Sequence, residues 1–234
     1  MASWQSRNLH TEGYVIDLFA GIPEAQYKDI LSRGERKALE PGTILFREGD
    51  PAYRCYLVLS GRLKLAKLHE QGKEAIIRYI GPGEITAATA FFKEKEYPVT
   101  SEAIGDTEVI GWNKHTMMEI MLAYPPLAVS MLGIAVERLD ELQDRYLELS
   151  TEQVERRIAR SLLRIMKQSG RRSEDGIAID FPLGRQDLAD YTGTTLYTVS
   201  RTLSAWEKRG WIKSKREHIT ICDPHSLVTL AEHY

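Results

Sequence analysis

Short apolar runs separated by tight-turn residues fill the chain from Pro41 to Trp112. Thr43-Ile44-Leu45-Phe46, Tyr56-Leu57-Val58-Leu59 and Ala75-Ile76-Ile77-Arg78-Tyr79 are mostly apolar, whereas Leu63-Lys64-Leu65-Ala66-Lys67 alternates, as a strand with one wet face does. Pro41-Gly42, Glu48-Gly49-Asp50-Pro51, Ser60-Gly61, Glu70-Gln71-Gly72, Gly81-Pro82-Gly83 and Gly105-Asp106 punctuate them. This spacing predicts a closed or rolled antiparallel sheet, whose interior either holds a ligand or is packed by its own side chains.

From Pro125-Pro126 onward the period becomes helical. Leu132, Ala135, Leu139, Leu142, Tyr146 and Leu149 recur at alternating intervals of three and four, an a/d seam, and the positions between Glu137 and Glu148 are otherwise mostly charged. Such a helix is suited to pairing with a second copy of itself; the other reading is a single stripe packed on the chain's own β-domain. The seam is short for an isolated coiled coil, so other contacts have to help. A further helix is expected over Thr151–Ser169, with Thr151 or Ser150 as N-cap and Ile158, Leu162, Ile165 and Met166 on one face. A short strand, Ile177-Ala178-Ile179, comes next.

The stretch from Gly184 to Trp206 has the grammar of a helix-turn-helix. Leu188 and Ala189 bury the first helix, Gly193 supplies the turn, Thr194 or Thr195 caps the second helix, and Val199, Leu203 and Trp206 anchor it inward. The opposite face presents Tyr197, Thr198, Ser200 and Arg201, the division a major-groove recognition helix needs. Arg201 can donate twice to guanine; Thr195 and Thr198 suit phosphates or thymine methyls; Arg185 and Gln186 suit the DNA backbone. Beyond Gly210, the residues Trp211 to Ile221 read as a two-stranded wing with Lys215 and Arg216 at a basic tip.

The 234 residues make one or two domains, and a composition 43% hydrophobic and 27% charged excludes wholesale disorder. With no apolar run of membrane-spanning length and no basic-then-apolar start, the expectation is a cytoplasmic protein without a membrane partner. A net charge of −2 speaks against nucleic-acid binding until the chain is divided at Leu149/Ser150. Residues 1–149 carry 17 Lys+Arg against 22 Asp+Glu, and residues 150–234 carry 14 against 11. The acidic and basic halves cancel in the total. Cys55 and Cys222 offer neither a disulfide framework nor metal spacing, so no metal site is expected. No nucleophile–base pairing, metal-ligand spacing or phosphate-binding glycine loop points to an enzyme. The expected fold class is α+β: a β-domain with flanking helices over 1–124, which the resemblance described next makes effector-binding, a dimerisation helix over 125–150 and a winged helix-turn-helix DNA-binding domain over 151–234. A regulatory ligand-binding module acting on a protein partner, with a degenerate DNA domain, is the alternative function.

Three blocks resemble the CRP/FNR family of transcription regulators: Pro41-Gly42-Thr43 through Gly61-Arg62-Leu63-Lys64-Leu65, Gly81-Pro82-Gly83-Glu84, and the helix-turn-helix with its wing. The resemblance implies a homodimer with a cyclic-nucleotide-binding-like β-roll, a long dimer helix and a sequence-specific reader of a palindromic double-stranded DNA operator. It also implies RNA polymerase as a partner where the protein activates, the commoner role. Family members that sense cyclic nucleotides use a Gly-Glu and an Arg-Ser pair, which appear here as Ala87-Ala88 and Tyr97-Pro98, so cyclic AMP is not the expected effector. Residues 1–54 hold no cysteine cluster for an iron–sulfur centre, and Tyr197 stands where the family commonly has glutamate. Tyr97-Pro98-Val99-Thr100 together with Gly193 to Arg201 looks most similar to the nitric-oxide-responsive denitrification regulators, some of which are thought to use haem. That branch implies haem as a candidate cofactor and an apolar effector pocket, with Tyr79, Ala88, Phe91, Phe92 and Tyr97 as candidate lining residues. His10, His69 and His115 read more readily as surface residues than as iron ligands, and Cys55 as a small packed residue.

Overall fold

The structure is a computed structural model that describes residues 18–70, 72–88 and 96–232. His10, Phe91 and Phe92 lie outside the described residues. Helix α1 (Glu24–Ser32) leads into strands β1 (Glu35–Leu39), β2 (Ile44–Phe46), β3 (Arg54–Ser60), β4 (Leu63–Leu68), β5 (Glu74–Ile80), β6 (Ile85–Thr86), β7 (Thr100–Ala103) and β8 (Thr107–Asn113). These form two four-stranded antiparallel sheets, in the orders β1-β8-β3-β6 and β2-β7-β4-β5. The alternation read from Leu63 to Lys67 holds at its start: Leu63 and Leu65 point into the roll and Lys64 points out. Ala66, the next residue, faces the other way into a different cluster, and opposite it the ladder skips Ile77 of β5, a bulge that shifts the register. Gly61 shows why a turn sits at Ser60-Gly61. Its φ is +76, and a Cβ there would meet the Asp106 carbonyl oxygen at 2.3 Å.

Leu39, Leu45, Phe46, Val58, Leu63, Leu65, Ile80, Tyr97, Ala103 and Val109 fill the roll. A separate cluster joins Leu57, Ile85, Ile110 and Trp112 from the other face of the β3–β8 sheet to Ile30 of α1 and to the next helices, α2 (Lys114–Ala123) and α3 (Pro125–Thr151). Cys55 lies in this second cluster, fully buried, and burial pushes its thiol up to about 12. Cys222 is only partly covered. One thiol per chain is therefore expected to react with a thiol reagent in the native protein at pH 8, and the second only on unfolding; equal rates for both would contradict the packing. An unfolded thiol ionises near 8.5, so Cys55 makes stability fall as pH rises from roughly 8.5 towards 12.

Helix α3 runs 27 residues. Its N-terminal inner face, Leu127 and Met131, joins the second cluster. Further along, the inner face is charged. Arg138 donates to the Ile85 carbonyl, Arg78 of β5 pairs with Glu141 and, at 3.0 Å, with Glu84, and Arg145 donates to the Ile77 carbonyl. Burial, then the nearby Arg78 charge, pulls the Arg138 guanidinium down to about 10. The charged residues that make this helix look unsuited to packing on its own chain are thus the ones that dock it there. The seam residues Leu132, Leu139, Leu142, Tyr146 and Leu149 point away and are more than half exposed, and Ala135 is partly covered.

The helix boundary expected at Ser150 or Thr151 is displaced. Both residues belong to the last turn of α3, where their hydroxyls bond the Tyr146 and Leu147 carbonyls instead of capping the next helix. The chain breaks at Glu152-Gln153, and α4 (Val154–Ser169) begins with Gln153 as an N-cap that makes no side-chain bond. After it come β9 (Gly170–Ser173), β10 (Gly176–Ile179), α5 (Arg185–Thr192), α6 (Leu196–Lys208), β11 (Ile212–Lys215), β12 (His218–Ile221) and α7 (Pro224–Glu232). The sheet order here is β11-β12-β10-β9. Strand β9 is not legible in the sequence because Arg171, Arg172 and Ser173 are exposed and carry no apolar signal.

No single helix among the described residues is long and apolar enough to cross a membrane.

Candidate nucleic-acid interface

Helix α5 starts where the Asp187 carboxylate accepts the Gly184 N–H at 2.8 Å. It ends at Gly193, whose φ of +65 lets the chain reverse within three residues. Thr195 then caps α6, accepting the Thr198 N–H at 3.2 Å. Leu188, Ala189, Val199, Leu203 and Trp206 are fully buried between the two helices and α4, as their spacing predicts. The Trp206 indole donates to Glu155 of α4 at 3.0 Å, so the recognition helix is keyed to the helix beneath it.

The outer face of α6 carries Tyr197, 74% exposed, and Arg201, whose guanidinium lies 6.0 Å from the Tyr197 ring. Ser200 is half-buried beside them. Leu196, 46% exposed at the start of the helix, presents apolar surface of the kind that packs on thymine methyls, which a search for polar groups on this face passes over. Thr195 and Thr198, expected to reach DNA, are 2.9 Å from one another through their hydroxyls. Capping geometry commits the Thr195 oxygen first, which leaves both hydroxyls less free for phosphate than the sequence suggests. Gln186 likewise donates to Asp190 at 2.8 Å, one turn on.

Strands β11 and β12 form the wing, and Lys215 and Arg216 stand exposed at its tip. Arg216 holds a φ of +46, a conformation that usually selects glycine in a two-residue turn. The tip of the wing is fixed by the Leu183 N–H, which donates to the Glu217 carbonyl at 2.7 Å. Arg185 does not reach outward freely: it pairs with Glu207 and donates to the Ser214 hydroxyl at 3.1 Å. Lys213 is held by Asp175 at 2.5 Å. Arg201, Lys208, Lys215 and Arg216 make no ion pair among the described residues, so these cations face solvent uncompensated.

The predicted effector-pocket residues do not converge. Tyr79, although on a roll strand, turns out of the roll and packs on Phe181 at 4.7 Å and Tyr191 at 5.7 Å, both in the DNA-reading half. A bulge in β5, where the ladder passes from Arg78 to Ile76 and skips Ile77, puts Ile76 and Tyr79 together in the outer cluster and leaves Ile80 in the roll interior. Ala88 packs on the second cluster, against Leu18 to Met131. Tyr97 does enter the roll, stacked on Phe46 at 4.0 Å with its hydroxyl donating to the Arg54 carbonyl at 2.9 Å. Ala87 packs beside it with a φ of +65, the left-handed conformation for which glycine is the usual choice. The substituted ligand-pair positions Ala87 and Tyr97 therefore belong to the same roll cluster, and neither offers a charge. A groove of about 950 Å³ runs along the roll past Tyr53, Lys67, Tyr97 and Lys114.

The two candidate histidines among the described residues do not offer haem an axial ligand in the roll. His69 is exposed on the β4–β5 turn and His115 pairs with Glu119 in the exposed first turn of α2. Neither faces the roll interior, and no cluster of His, Cys, Asp and Glu forms among the described residues.

Comparison with known proteins places two matches in sequence order. Residues 36–124 match the cyclic nucleotide-binding domain, and residues 156–230 match the Crp-like helix-turn-helix domain. The chain is 28% identical over 196 residues to the cyclic AMP receptor protein of Thermus thermophilus, covering 84% of this chain and 88% of that protein. It is 27% identical over 203 residues to the transcriptional activator protein FnrA of Stutzerimonas stutzeri, covering 87% and 82%. Among solved structures, FixK2 from Bradyrhizobium japonicum superposes with a TM-score of 0.75 at 23% identity, over 86% of this chain and 98% of that one. A CooA variant from Carboxydothermus hydrogenoformans also gives 0.75, at 20% identity, over 95% and 97%. These two likenesses concern the fold.

Proposed function

Because the chain belongs to the CRP/FNR family of DNA-binding transcription regulators, we propose that it is a homodimeric regulator that binds a palindromic operator under the control of an effector in the β-roll. The observation that carries this reading is the outward face of α6, where Tyr197 and Arg201 stand clear of the body beside a wing tip with uncompensated Lys215 and Arg216. Donors for base edges and cations for phosphates then lie on one surface, which is what sequence reading over an electrostatic footprint requires.

The dimer is supported by the apolar stripe that α3 turns to solvent. A two-fold pairing along it would present two copies of α6 to half-sites about one helical turn apart. For the effector, Ala87 and Tyr97 supply no counter-charge for a cyclic phosphate, which supports an uncharged ligand over cyclic AMP. The Tyr97 to Thr100 and Gly193 to Arg201 pattern supports placing the chain beside the nitric-oxide-responsive regulators. RNA polymerase is the partner this reading assigns when the protein activates.

Selection from a random duplex pool with the full-length protein tests the reading: a palindromic sequence is expected to be enriched, and no enrichment would overturn it. On the enriched duplex, Arg201→Ala is expected to weaken binding by about 1–3 kcal/mol and to relax preference at one base pair of each half-site. A uniform loss across all sequences would instead assign Arg201 to phosphate.

A further inference from the structure

Glu207 sits in the last turn of the recognition helix, and its two carboxylate oxygens face two different elements. Oε1 accepts the backbone N–H of Ser214 on the wing strand β11 at 3.0 Å. Oε2 accepts Nη2 of Arg185, the first residue of α5, at 3.5 Å. That same nitrogen lies 3.1 Å from the Ser214 hydroxyl, which closes a triangle between α5, α6 and β11. Arg185 and Glu207 are about 30% exposed, enough to sit at the rim of the DNA-facing surface but shielded on the protein side.

We propose that Glu207 is a positioning residue for DNA recognition, tying Arg185 and the wing to α6 so that Lys215 and Arg216 reach phosphate while α6 reads bases. The inference rests on the DNA-binding reading of this surface. The wing itself is a two-stranded ribbon with a two-residue tip, and such a ribbon has little stiffness of its own. Its tip is attached to the loop before α5 by the Leu183–Glu217 bond, and α5 is attached to α6 through Arg185 and Glu207. The wing angle therefore passes through a carboxylate that carries the wrong sign for a DNA surface. Simple electrostatics makes Glu207 unfavourable towards a polyanion, so removing its charge should tighten binding. Positioning makes the opposite prediction.

The test is a titration of the full-length protein against the duplex that the wild type enriches, at salt concentrations from about 50 to 250 mM, the range over which phosphate contacts show in the salt dependence. Glu207→Gln is expected to lose about tenfold in affinity at about 0.1 M salt. Its plot of log affinity against log salt is expected to be shallower by about 2, the signature of two lost phosphate contacts although no cation was removed. Arg185→Ala should give the same loss, and the double variant should be no weaker than either single, because the three groups act as one unit. Glu207→Asp keeps the charge and shortens the reach, so it also loses affinity. Thermal melting of each variant confirms that the fold persists. Unchanged or tighter binding by Glu207→Gln with an unchanged salt slope overturns the proposal, as do additive losses for Arg185 and Glu207. If the wild type enriches no duplex, it is the DNA-binding reading that fails, and the two failures stay distinct.

Discussion

If the proposed homodimer pairs along α3, replacing Leu139 and Leu142 with lysine is expected to leave the protein monomeric and to lower operator affinity by about two to four orders of magnitude, since one copy of α6 loses its tethered twin. Both side chains are 55% exposed in the single chain, and they continue a stripe of exposed apolar residues, Val129, Leu132 and Val136 before them and Tyr146 after. Burying one leucine side chain is worth roughly 1.5–3 kcal/mol, and each substitution counts twice across a two-fold axis. Lysines facing their own copies add like-charge repulsion to that loss. The inner face of α3 is held by Arg138, Glu141 and Arg145, so the substitutions should leave the chain folded. Sedimentation measures the mass and a duplex titration the affinity. A variant that remains dimeric with wild-type affinity would remove this stripe from the interface. Leu149 is left out of the substitution because it also abuts the helix-turn-helix: a Cβ built on Gly193 would stand 3.2 Å from its Cδ2.

Arg145→Met is the second substitution with a large expected effect, through a different link of the molecule. The Arg145 guanidinium donates to the Ile77 carbonyl of β5 and, at 2.9 Å, to the Tyr191 carbonyl near the end of α5, and it lies 4.5 Å from the centre of the Tyr191 ring. One side chain thus joins the roll, the long helix and the first helix of the DNA reader. Around it, Tyr79 packs on Phe181 and Tyr191, Arg62 lies 4.8 Å over Phe181, and Glu148 accepts two bonds from Arg164 at 2.6 and 2.9 Å. A hydrogen bond from a charged donor contributes about 1.5–3 kcal/mol, so losing two of them should cost about 3 kcal/mol or somewhat more. For a chain of this size each kcal/mol lowers the melting temperature by roughly 2–4 °C, which puts the expected drop near 10 °C. The same change should loosen the reader from the roll and speed protease cleavage at the Glu152-Gln153 break. An unchanged melting curve with an unchanged cleavage rate would show that the junction holds without Arg145.

The same junction explains why the effector pocket is not legible in the sequence. Tyr79 reads as a pocket residue because it is aromatic and lies on a roll strand, but β5 has two apolar faces, and only one of them belongs to the roll. Ile80 fills the interior, while Ile76 and Tyr79 serve the contact with α5. Alternation along a strand sorts residues into two sets. It cannot say which set faces the roll when the second face is covered by another domain. The helix-turn-helix is legible because its signals are local: a left-handed turn at Gly193, a cap at Thr195 and inward anchors at Val199, Leu203 and Trp206 all fall within one short stretch. Glu207 escapes a sequence reading for the converse reason, since its two partners, Arg185 and Ser214, lie 22 and 7 residues away and only the fold brings them together.

The sequence by itself determined the apolar roll strands β2 to β5, the wing, the seam on the long helix, the two reader helices and the opposed charges of the two halves, because each depends on periodicity, turn chemistry or composition within a short window. Tertiary structure alone decided which face of α3 is wet, since its charged positions find partners on β5 and β6 and its seam leucines do not. It likewise decided that Tyr79 and Arg145 join the domains and that Arg185 serves the wing. Those outcomes are settled by partners far apart in the chain, and a side chain's role in them depends on what is folded against it.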